Sequence, residues 1–190
     1  MYSSQKSVLI RLYESPQTVF SIAGITLLLG EEREGVMAKR LNYYVKEGKL
    51  LNPRRGFYAK KNYNPEELAC MLFTPSYLSL EYVLQKAGVV FQYDSRLSSV
   101  SYLSRSVEID GKEFCYRRIK GEILANTTGI ICSNNINMAT PERAFLDVMY
   151  LNADYYFDNL RALDYKKVKE LLPIYNNGRM EMRVKRLFNK

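Results

Sequence analysis

Histidine and tryptophan are absent from the 190 residues, and there are only six prolines. The missing histidine removes the commonest general base and the commonest metal ligand together, so any catalysis would rest on carboxylates, lysine or tyrosine. No run reaches the roughly 20 apolar residues that cross a bilayer. Met1 also leads into Tyr2–Ser7 and not into a basic segment followed by an apolar one. The expectation is a cytoplasmic chain that does not enter the membrane. Cysteine is scarce: Cys70, Cys115 and Cys132 stand far apart, among apolar neighbours such as Leu72, Phe114 and Ile131. They read as buried thiols in a reducing compartment, and neither a metal nor a cofactor is expected.

Hydrophobic residues make up 47% of the chain and are spread along it, enough to close a core. The net charge of +8 is unevenly placed. Residues 1–63 hold eleven Lys and Arg against five Glu, a net +6, and residues 179–190 a net +4, which leaves the stretch between them at −2. A basic head points to a polyanionic partner.

The head also has a recognisable order of elements. Val8, Leu9, Leu12 and Tyr13 form the stripe of an amphipathic helix from Ser3 to about Glu14, stopped by Ser15-Pro16. Ser21 is placed to cap a second short helix that carries Ile22, Ile25 and Leu29 and ends at Gly30. After a polar turn over 31–35, a third helix is expected from about Glu34 to Glu47, with Met37, Leu41, Tyr44 and Val45 inward and Gly48 as its stop. From Lys49 to Ala59, short β-forming pairs flank a Pro/Gly-containing basic turn and predict a hairpin. Helix, helix, helix and basic hairpin is the order of a winged helix-turn-helix. The expected fold is therefore α+β: a winged helix-turn-helix over 1–63, then a mixed α+β domain over 64–190 with a helical C-terminal segment.

In the second part a helix begins at Pro65, another runs from Ser79 to Ala87, and Val89–Phe91 opens strand-like sequence. Ser98–Ile109 and Lys112–Ile119 flank Asp110-Gly111, a strong two-residue hairpin turn because both positions tolerate positive φ. Ile130–Cys132 and Ile136–Met138 are short strands, and Thr140-Pro141 opens a helix whose apolar face is Ala144, Phe145, Val148 and Met149. Helices over 154–163, 165–172 and 180–188 complete the expectation.

If Met37 and Leu41 of the third helix point inward, a wheel at 100° per residue turns Gly35, Lys39, Asn42, Tyr43 and Lys46 outward, with Arg40 on the flank. Lys39 and Arg40 suit guanine edges or phosphates, Asn42 a bidentate contact with adenine, and Tyr43 a phosphate or a thymine methyl. Arg54 and Arg55 at the hairpin tip lie at the right chain distance to reach the backbone or minor groove. Lys46 and Tyr58 complete the candidate DNA-binding set. A bland reading of the same helix face is a solvated surface.

These residues carry a resemblance. Phe20–Ala23 through Leu29-Gly30, Ala38-Lys39-Arg40-Leu41 through Gly48–Leu50, and Arg55–Ala59 resemble the head of AbiEi-type antitoxins of type IV toxin–antitoxin systems. Ser76–Glu81 with Gly88, and Ala139–Asp147, are similar to later blocks of that family. The resemblance implies a DNA-binding repressor of its own operon, whose C-terminal domain contributes both to repression and to countering a nucleotidyltransferase-type toxin; the winged helix-turn-helix itself makes a regulator, and not an enzyme, the expectation.

Other readings attach to the remaining features. Arg143 and Asp147, four apart, read as a salt bridge on their helix; Tyr155, Tyr156 and Phe157 read as core or interface. Arg179, Arg183, Lys185 and Arg186 fall largely along one side of a helix. Asp147, Asp154, Asp158 and Asp164 lack a phosphate loop or metal-ligand spacing, and support an alternative only as a winged-helix-targeted, carboxylate-dependent nuclease. A third reading is an interaction module that holds an acidic protein.

Overall fold

A computed structural model describes residues 7–30 and 34–188. The architecture is mixed α+β, and the chain divides into two compact units, Met1–Leu68 and Ala69–Lys190. The first turn of the expected Ser3 helix, and most of the 31–35 turn, lie outside the described residues.

In the first unit, α1 (Val8–Glu14) is capped by Ser7, whose hydroxyl accepts from the Ile10 amide. A three-residue strand that sequence did not predict, β1 (Val19–Ser21), leads straight into α2 (Ile22–Leu29). Ser21 Oγ accepts from Gly24 N, and Gly30 closes the helix in the left-handed conformation. α3 runs over Glu34–Lys46, and β2 (Leu51–Arg54) and β3 (Phe57–Ala59) form the hairpin. The antiparallel sheet has the order β1-β3-β2. Arg54 pairs with Phe57, so the turn is Arg55-Gly56, and Gly56 takes φ +87°, open to glycine at little cost. A bulge at Asn52-Pro53 is filled by the Asn52 carboxamide, which donates to Arg54 O at 3.0 Å and Phe57 O at 2.6 Å. The core is Leu12, Phe20, Ile25, Met37, Leu41, Leu50 and Tyr58.

Polar bonds extend this unit beyond Tyr63. The Glu67 carboxylate accepts from both the amide and the hydroxyl of Thr18, and Thr18 Oγ1 accepts from Asn64 N at 2.8 Å. The start of α4 (Pro65–Leu72) is thereby tied to the start of β1, and the division between units falls inside that helix.

The second unit is a six-stranded mixed sheet of order β6-β7-β5-β4-β9-β8. β4 (Ser76–Leu78) is central, antiparallel to β5 (Leu97–Ser101) and parallel to β9 (Ile136–Ala139). β6 (Arg105–Ile109) and β7 (Lys112–Arg118) make the hairpin whose turn is Asp110-Gly111, both at positive φ. The expected single strand Ser98–Ile109 is instead two: the chain breaks at 102–104, and β5 pairs with β7 in parallel. Val89–Phe91 is not a strand, although Val89 and Val90 are buried; Val89 O accepts from the amides of Asp158 and Asn159.

α5 (Leu80–Lys86), α6 (Gly121–Ala125) and edge strand β8 (Ile130–Ser133) precede α7 (Pro141–Leu151). Thr140 caps α7 and Pro141 stands in its first turn, as expected, but burial is not confined to one stripe: every residue from Glu142 to Met149 is buried. The expected helix over 154–163 reduces to a single 3-10 turn at Leu160–Ala162. Phe157 is buried against Phe145, while Tyr156 is exposed. α8 (Tyr165–Leu171) and α9 (Gly178–Phe188) finish the unit. Among the described residues no helix is long and apolar enough to cross a membrane.

The expectation of three buried thiols is corrected: Cys70 is buried, Cys115 intermediate and Cys132 exposed. Cys132 sits on β8, an edge strand whose apolar neighbour Ile131 is itself exposed.

Candidate nucleic-acid interface and a buried arginine network

The outer face of α3 follows from its inner one. Met37 and Leu41 are fully buried, Tyr44 and Val45 pack at the edge of the core, and Lys39, Arg40, Asn42, Tyr43 and Lys46 are exposed. Lys39 and Lys46, and Arg55 on the hairpin turn, have no ion-pair partner among the described residues. Arg54, on the strand before the turn, is half-buried.

Two bonds fix the hairpin within the unit. Gly56 O, in the turn, accepts from Ile22 N at 3.1 Å, which holds the tip against the start of α2. Tyr58 is only 3% exposed, and its hydroxyl donates to Asn42 Oδ1 at 2.8 Å. Burial pushes the Tyr58 phenol up from its ordinary value, which keeps it a donor. Tyr58 therefore differs from the other candidates: its ring belongs to the core, and it reaches the outer surface only through Asn42. The Asn42 oxygen retains a second lone pair and its NH2 both donors.

Not every basic residue faces out. Lys60 Nζ donates to Ser15 O at 2.6 Å and to Tyr13 O at 3.3 Å, at the C-terminal end of α1. On α9, Arg183 turns inward to Met149 O, and Lys185 pairs with Glu181 at 2.8 Å, so the expected basic side is carried by Arg179 and Arg186.

The second unit holds a polar cluster that sequence reading reached only in part. Arg143 and Asp147 make the expected i,i+4 pair, 3.4 Å apart, but both side chains are wholly buried. All five guanidinium donors are used. Nε donates to Asp147, Nη1 to the carbonyls of Asn126 and Thr128, and Nη2 to the Tyr77 hydroxyl and the Ile123 carbonyl. Asp147 accepts further from Ser79 Oγ at 2.7 Å, Tyr175 OH at 2.7 Å and Tyr77 OH at 3.2 Å. Ser79 thus gives its hydroxyl to Asp147 and makes no side-chain cap on α5. Burial pushes the Asp147 carboxyl up, against the pull of Arg143 and the three hydroxyls. Burial and the Asp147 charge raise both tyrosines.

Two of the other carboxylates accept from backbone amides: Asp158 from Phe91 N at 2.8 Å, and Asp164 as the cap of α8. Asp154 is exposed, and among the described residues no three His, Cys, Asp or Glu are placed to hold a metal ion. Comparison with protein-family models and with curated proteins gave no match.

Proposed function

We propose that the first unit is a winged helix-turn-helix that binds double-stranded DNA, with α3 in the major groove and the β2–β3 hairpin as the wing, and that the protein represses its own operon. The observation that carries this reading is the exposure of Lys39, Arg40, Asn42, Tyr43 and Lys46 together on α3, above the buried Met37 and Leu41. The order helix, strand, helix, helix, strand, strand supports the same reading, as does the tether from Tyr58 on the hairpin to Asn42 on that helix.

In this reading Lys39, Arg40 and Asn42 address base edges, Tyr43 and Lys46 the flanking backbone, and Arg54 and Arg55 the phosphates or minor groove beside the helix. Fluorescence anisotropy with a duplex from the gene's own upstream region tests it. That duplex binds far more tightly than a scrambled one, and affinity falls steeply with salt. Replacing Lys39 and Arg40 with Ala removes the preference; an unchanged footprint in that variant overturns the assignment of α3. The antitoxin role rests on the family resemblance alone, and co-expression with a neighbouring nucleotidyltransferase gene tests it: relief of growth arrest supports it, persistent arrest sinks it.

A further inference from the structure

A cleft of about 180 Å³ opens in the second unit. Leu78 pairs with Met138 and Cys132 with Asn137, so Tyr77, Asn137 and Cys132 lie side by side across β4, β9 and β8 and share one face of the sheet. With Ile130, two residues before Cys132 on β8, they contribute the cleft's sheet side, and Leu124 and Thr127 its wall.

That wall is held from behind by Arg143. Its guanidinium binds the carbonyls on either side of Thr127, those of Asn126 and Thr128, and also Ile123 O, next to Leu124. It binds the hydroxyl of Tyr77 as well. A buried ion pair is weak evidence of stabilisation by itself, because removing both charges from water is costly. What this pair does is fix two segments and one ring around a concave surface.

No charged side chain lines the cleft, and Arg143, with every donor engaged, is fully buried. A charged ligand would give up hydration without gaining a counter-charge. The polar groups on offer are neutral. The Asn137 side chain makes no hydrogen bond among the described residues, and Thr127 and Cys132 line the cleft as well. Apolar cavities of about 150 Å³ take up benzene.

We propose that this cleft is a preformed binding site for a small neutral molecule: one ring, or a branched chain of similar bulk, bearing a hydroxyl, carbonyl or amide group. The proposal does not depend on the DNA reading of the first unit.

Phenol and benzamide serve as probes, titrated against the full chain by methyl-resolved NMR and by alkylation kinetics with iodoacetamide. At least one probe shifts the Leu124 and Ile130 methyl signals saturably, with a Kd on the order of millimolar. The same probe slows alkylation of Cys132 and leaves the rate at Cys115 unchanged. Cys132→Phe, which fills the cleft from the edge strand, weakens binding by about tenfold or more. Shifts that do not saturate, shifts centred elsewhere, equal slowing at Cys115, or wild-type affinity in Cys132→Phe would each overturn the proposal. If that variant fails to fold, the alkylation contrast in the unaltered chain decides.

Discussion

The Tyr58 hydroxyl donates to Asn42 Oδ1 at 2.8 Å, joining the hairpin to the exposed face of α3 across 16 residues of sequence. Because Tyr58 is buried and Asn42 exposed, the bond sets the rotamer of a side chain well suited to reading adenine. Tyr58→Phe keeps the packing and loses the bond, so unfolding stability changes by about 1 kcal/mol. On the DNA-binding reading proposed for the first unit, anisotropy titrations show the variant losing discrimination at adenine positions while keeping its affinity for unrelated DNA. A variant that keeps full discrimination shows that the bond has no part in recognition.

Arg55 gives a different signature. It is exposed on a two-residue turn; if, in the proposed DNA complex, it meets a phosphate, Arg55→Ala weakens binding about equally on all sequences. The slope of log affinity against log salt concentration then falls by about 1. A sequence-dependent loss would move Arg55 into the base-reading set.

In the second unit, Asp147→Ala leaves the Arg143 cation buried with hydroxyls and carbonyls only. The expected loss is about 3–5 kcal/mol in urea unfolding. The joint replacement Arg143→Met with Asp147→Leu removes both charges and costs less than the sum of the single changes. Additive losses would mean that the two side chains act independently.

Gly129 stands at φ +79°, and a Cβ there would meet Arg143 Cβ and Leu171 Cδ2, each at 3.1 Å. Gly129→Ala therefore combines an unfavourable backbone conformation with a steric conflict, and is expected to cost about 1–3 kcal/mol. Thermal unfolding measures it, with Gly111→Ala as the comparison: that position shares the positive φ but has open space around it.

Acid should weaken the loop before β5. Arg96 hydrogen-bonds the Asp94 carboxylate and holds its pKa below the ordinary range. A depressed folded-state pKa contributes stability that is present above the unfolded value of about 4 and is lost as pH falls through the lower folded value. Asp94→Asn should therefore melt below the unaltered protein at neutral pH, and the difference should shrink on acidification. A gap that does not change with pH would assign the effect to packing.

Where the chain carries its own punctuation, the fold could be read from sequence. Ser21 with Gly30 bounds α2, Asp110-Gly111 turns a hairpin, and Thr140-Pro141 opens α7, each through local backbone chemistry. β1 and β4 escaped because three residues are too few to show an alternation, although β4 lies in the middle of its sheet. The expected helix over 154–163 failed because Phe157 is drawn into the core beside Phe145, and the chain follows it. The candidate surface of α3 was legible from helical periodicity alone. Its brace at Tyr58 was not, since nothing local pairs positions 42 and 58. The Arg143 cluster was half visible as an i,i+4 pair, but three of its partners are backbone carbonyls, which any residue supplies and no sequence pattern marks.

The parallel pairing of β4 with β9 bears on how the second unit is made. Leu78 meets Met138 sixty positions later, and no hairpin can bring them together. The chain must close a long loop, losing its freedom before the contact returns anything. During synthesis, the middle strand has no β9 to pair with until that strand has left the ribosome. The first unit, whose most distant strand partners are Val19 and Ala59, has every residue it needs by then and is free to fold while the other is still being built.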